Sequence, residues 1–75
     1  MISVELSCEG KAPEKLHVFL DREGLASLMA QLEFLARGKT DHVHLMSSEW
    51  GGSHLESRAR KSGNSTIHHV QVDLI

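Results

Sequence analysis

The chain is 75 residues long, with 40% hydrophobic and 24% charged residues and a formal net charge of −2, the profile of one small globular domain spanning residues 1–75. The basic residues are scattered apart from Arg58, Arg60 and Lys61, so no basic face for nucleic acid forms. Cys8 is the only cysteine, which excludes an internal disulfide and a thiolate-rich zinc site. The N-terminus has no basic region followed by an apolar run, and no stretch has the length of a membrane span. A cytoplasmic protein is expected.

Residues 2–8 alternate, with Ile2, Val4, Leu6 and Cys8 on one face and Ser3, Glu5 and Ser7 on the other, the pattern of a half-buried strand. The polar EGKAPE that follows, broken by Gly10 and Pro13, reads as a hairpin loop. A second strand over 16–20 places Leu16, Val18 and Leu20 inward and His17 and Phe19 outward.

Asp21 is positioned to cap a helix over 22–37, which Gly38 closes. Leu25, Leu28, Met29, Leu32, Leu35 and Ala36 fall at helical spacing and make one apolar stripe. Phe34 projects from the other side, to be covered by the long loop, for instance by Leu55, or to meet a partner.

A third strand over 41–47 sets Val43 and Leu45 on one face and His42, His44 and Met46 on the other. A terminal strand over 66–74 puts Val70, Val72 and Leu74 inward and His69, Gln71 and Asp73 outward. The loop between them, 49–65, is longer than an ordinary hairpin connection and is therefore functional or mobile. The predicted fold is α+β, in the order ββαββ, with a four-stranded, mainly antiparallel sheet and one helix packed on one face. The helical crossover would make the second and third strands parallel, and the orders 2-1-3-4 and 1-2-4-3 both stay open.

These strand phases gather His17, Phe19, His42, His44, Met46, His69 and Gln71 on the sheet face away from the helix. Such a face is an ordinary solvated surface or a partner-binding surface, and its apolar and imidazole content favours binding. Metal binding by His17, His42, His44 and His69 is the sharper alternative, but H-x-H has no third ligand at a diagnostic spacing, so no metal and no cofactor is expected. A homodimer burying the same face is a further alternative. No nucleophile has a base and an orienting group at a recognisable spacing, and a sheet with one helix offers little depth for a pocket, so no catalytic residue is assigned. Trp50 precedes Gly51 and Gly52, a chain reversal with an indole that is either a cover for the core or an interface anchor.

DHVHLM followed closely by WGG, after FLDREGLASLMAQLEFL, resembles the immunity protein 32 family of bacterial polymorphic toxin systems. The resemblance covers residues 2 to about 52 and, in outline, the terminal strand; it fails through 53–65. It implies a small cytoplasmic antitoxin that binds a cognate toxin domain stoichiometrically. The implied partner is a protein, not nucleic acid or a membrane. The residues expected to meet it are His42, His44, Met46, Trp50, His69, Phe19 and His17, with Gly51, Gly52 and Gly38 shaping turns.

Overall fold

The computed structural model describes residues 1–7 and 15–75, so the expected EGKAPE hairpin loop and the inward placement of Cys8 lie outside the described residues. The chain is α+β: β1 (Ile2–Ser7), β2 (Lys15–Leu20), α1 (Arg22–Ala36), β3 (His42–Met46), a 3-10 turn (Ser48–Trp50), β4 (Ser65–Thr66) and β5 (His69–Asp73). All strand pairs are antiparallel, in a three-stranded sheet of order β2-β1-β4 and a two-stranded sheet of β3 and β5.

The expected terminal strand is present but divides its pairing. Ile67 N–H donates to the Val4 carbonyl at 2.7 Å, and the next carbonyl, on His68, accepts from Ser47 N–H at 2.9 Å. One segment therefore serves β1 first and β3 next, an arrangement that neither of the two open strand orders contained. Leu55 fills the remaining seam with parallel bridges to both Ile2 and Ser47. Both bridges share one direction, so β1 and β3 run the same way and β2 opposes β3. The expected parallel relation of the second and third strands is corrected accordingly.

The helix explains this reversal. Asp21 caps it, accepting from Gly24 N–H at 2.7 Å and pairing with the Met1 ammonium. At the other end Gly38, at φ 72°, donates to Leu35 and Lys39 donates to Phe34, the paired bonds of a Schellman stop. Between these caps α1 packs along β3 and meets β1 at its first turn, where a Cβ on Gly24 would fall 1.8 Å from the Met1 carbonyl oxygen.

Burial follows that path. The core cluster is Ile2, Val4, Leu45 and Leu55, with Leu28, Ile67 and Val70 packed on it; Leu35 and Val43 are also buried. Only part of the expected helix stripe faces this core, and Leu25, Met29 and Leu32 stay exposed. Leu16, Val18 and Leu20 lie opposite Leu6, Val4 and Ile2 in register, yet they too are exposed. Phe34 is exposed as well, in a shallow hollow with Ala30, Glu33, Arg37 and Lys39. Of the two alternatives for Phe34, cover by Leu55 is not met, because Leu55 is in the core.

The face of β1 expected to be polar and open is closed. Ser3, Glu5 and Ser7 are all buried. The Glu5 carboxylate accepts from Ser3 Oγ at 2.5 Å, from the backbone N–H groups of Arg60 at 2.7 Å and Lys61 at 3.3 Å, and from Asn64 Nδ2 at 3.0 Å. Burial pushes this carboxyl up, but the Arg60, Ser3, Asn64 and Lys61 donors outweigh it and hold its pKa at about 2. The long loop is thus held by a charge at 60–64 as well as by the apolar core at Leu55.

Candidate recognition surface

Period-2 alternation along β3 sends Val43 and Leu45 into the core and leaves His42, His44 and Met46 half-buried on the opposite side. Antiparallel pairing sets Met46 across from His69 and His44 across from Gln71, which makes His44 and His69 diagonal neighbours. His44 Nδ1 and His69 Nε2 are 2.8 Å apart, so one ring nitrogen donates to the other. His42 stands edge-on to His44, with ring centroids 5.0 Å apart.

Asp41 fixes the outer end of this row. Its Oδ1 lies 2.7 Å from His42 Nδ1 and accepts that proton, leaving Nε2 as the free position of the ring. The hydrogen bond from His42, and then the His42 charge when it is protonated, hold the Asp41 carboxyl below its ordinary value.

Trp50 closes the other end. Its indole is 61% exposed and lies 5.4 Å from His69, inclined at 44°. The turn that places it is built from backbone bonds to Ser47, whose carbonyl accepts from Trp50 N–H at 3.0 Å and Gly52 N–H at 2.9 Å. Gly51 takes the left-handed conformation at φ 81°, and a Cβ on Gly52 would sit 2.5 Å from the Met46 carbonyl oxygen. Both glycines are needed, for different reasons.

His17 and Phe19 do not join this row. They stack on one another at 3.8 Å in the three-stranded sheet, half-buried on the face that carries Ser3 and Glu5. His17 lies opposite Glu5 in register, and its Nδ1 is buried without a hydrogen-bond partner among the described residues. Their separation has a topological cause: the terminal segment stands between β1–β2 and β3.

Two residues that carry this arrangement were not singled out in the sequence. Ser47 is fully buried, and its hydroxyl is hydrogen-bonded to His68 Nδ1 at 2.8 Å, joining the end of β3 to the terminal segment. Glu5 anchors the loop that follows the Trp50 turn. A serine ahead of a short turn is an available signal for the first. No local signal marks the second, whose partners in the loop are 55 and more residues away.

The row of rings presents imidazole nitrogens, each a donor or an acceptor, beside an exposed indole. It is suited to contact with a protein surface. Among the described residues no group of three histidine, cysteine, aspartate or glutamate side chains is arranged to hold a metal ion. No helix among them is long and apolar enough to cross a membrane.

Residues 15–71 match the family model described as immunity protein 32. No curated protein and no solved structure matches the chain.

Proposed function

The chain belongs to the immunity protein 32 family, and from that membership we propose that it neutralises its cognate toxin by docking the His42–His44–His69 face onto the toxin domain. Membership implies toxin neutralisation and a toxin partner, and it marks the chain as a binding protein rather than an enzyme. Met46 lies between the rings and Trp50 anchors the rim. The compartment that fits this role is the cytoplasm of the toxin-producing cell.

The observation that carries this reading is the row of rings ending on Trp50, a large indole left 61% exposed beside His69 rather than folded over the core. Exposed aromatics on a rigid frame lose little conformational freedom on binding and are frequent anchors of interfaces. His42 and His44 lie on β3, whose alternate side chains are locked in the core, so the rings are presented in a fixed order. Neutralisation would be stoichiometric, by occlusion of the toxin surface.

Titration calorimetry against the cognate toxin domain tests the assignment. His44→Ala and Trp50→Ala should each weaken binding at least about tenfold, as befits loss of one anchor contact. Thermal unfolding should show the variants folded. Two folded variants with undiminished affinity would place the toxin elsewhere on the molecule.

A further inference from the structure

The fold leaves a second surface unexplained. Leu16, Val18 and Leu20 of β2 and Leu25, Met29 and Leu32 of α1 are all exposed, Met29 at 60% and Leu16 at 59%. The three helix positions follow the i, i+4, i+7 spacing of one helical face. Leu20 and Leu25 flank the capping turn at Asp21, so the strand and helix portions adjoin at that corner.

Nothing charged interrupts either portion. Leu16–Leu20 contains no Asp, Glu, Lys or Arg, and neither does Gly24–Leu32. Among the described residues β2 is also the edge strand of its sheet, where natural proteins ordinarily place a charge or a proline to discourage association, and its one charge is Lys15 at the start. Beyond Lys15, and apart from Asp21, Arg22 and Glu23 at the corner, the aliphatic side chains of this face have no charged neighbour within their own stretches, and such a face is built to be covered.

We propose that a second copy of this chain covers it, in a twofold dimer that packs the β2–α1 apolar face of one protomer against the same face of its partner. The six side chains expose roughly 500 Å² per copy, more than half of the ~800 Å² that each partner contributes to a standard interface. That is about a tenth of the protomer's 5356 Å² surface, the share a stable interface takes of a small protein.

The composition of the two surfaces assigns their occupants. Interfaces between identical subunits are more apolar and poorer in charge than those of partners that also live apart. The surface proposed above for the toxin carries imidazoles and an indole nitrogen, groups that tolerate water. The aliphatic face suits the partner present from synthesis onward. The dimer would leave the row from His42 to Trp50 open, and its existence does not depend on the toxin assignment.

Sedimentation equilibrium of the full chain, from low micromolar to several hundred micromolar, tests this. The wild type should approach twice the 8.3 kDa protomer mass. Val18→Lys combined with Met29→Lys should raise the dimer dissociation constant at least about a hundredfold, with native circular dichroism. Met29→Lys alone, at an exposed helix position that folding tolerates, should shift it in the same direction. His44→Ala and Trp50→Ala should leave the dimer intact. A wild type that stays monomeric at the highest concentration overturns the proposal. A dimer lost in Trp50→Ala, or unmoved in folded Met29→Lys, overturns it too.

Discussion

The Glu5 carboxylate accepts the backbone N–H of Arg60 at 2.7 Å, across 55 residues of chain. A fully buried carboxylate in the first strand thereby organises the loop that precedes the last. Replacing Glu5 by Ala would leave the Arg60 and Lys61 N–H groups and the Asn64 amide without their acceptor, at a cost of about 2–3 kcal/mol. Glu5→Gln should cost less, because its side-chain oxygen keeps part of the acceptance. Urea unfolding measures both. Limited trypsin digestion should cut Glu5→Ala fastest, after Arg58, Arg60 and Lys61.

The same carboxylate makes stability depend on acid. Its folded pKa, about 2, lies below the ordinary 4.5, so the unfolded chain takes up a proton first as pH falls. The contribution of Glu5 is complete above about 4.5 and is lost progressively as pH drops toward 2. Asp21, lowered by its hydrogen bond from the N-terminal ammonium and by Gly24 N–H, acts in the same direction at the exposed surface. The difference in urea midpoint between wild type and Glu5→Gln should therefore be largest at neutral pH and shrink through this window. A gap that stays constant with pH would mean that the carboxylate's charge contributes nothing.

Leu55 is the apolar counterpart of Glu5 in the same loop. It is buried at the seam, bridging Ile2 and Ser47 and touching the Ile2–Val4–Leu45 cluster. Leu55→Ala should cost about 2–4 kcal/mol, since the cavity would open between two sheets that no other strand pairing closes at that point. Because His54 and Leu55 N–H both donate to the Met46 carbonyl, hydrogen exchange at those two amides should accelerate more than in the middle of α1.

How far the sequence discloses this fold depends on how local each cause is. Alternation gave the strands and the phase of β3, so the shared face of His42 and His44 was legible, and the diagonal to His69 needed only antiparallel pairing. Asp21 and Gly38 marked the helix ends, because capping is decided within four residues. The covering of each sheet face was not legible. Ser3, Glu5 and Ser7 alternate as a solvated face would, yet all three are buried, and Glu5 is held there by donors of the distant 60–64 segment. Leu16, Val18 and Leu20 alternate as a core face would, yet they stay in water. His17 and Phe19 were grouped with the other rings on phase alone, which carries no information about which sheet a strand joins.

Gly51 and Gly52 separate backbone conformation from packing at the Trp50 turn. Gly51→Ala meets no neighbour within 4 Å but must hold φ 81°, a strain of about 1 kcal/mol that Asn would relieve in part. Gly52→Ala places its Cβ within 2.6 Å of both the Met46 carbonyl oxygen and the Met46 Cβ, backbone and side-chain root that cannot rotate away. It should cost about 1–3 kcal/mol, and the turn must shift to accommodate it. Since the turn carries Trp50 and β3 carries His44, a shift moves the indole relative to His69 without removing either ring. Thermal unfolding and tryptophan fluorescence should both change in Gly52→Ala, with a smaller change in Gly51→Ala. Loss of toxin affinity in folded Gly52→Ala, with Trp50 and all the histidines still present, would show that the row acts through its fixed geometry. Full affinity in that variant would reduce Trp50 to a tethered side chain that finds its own contact.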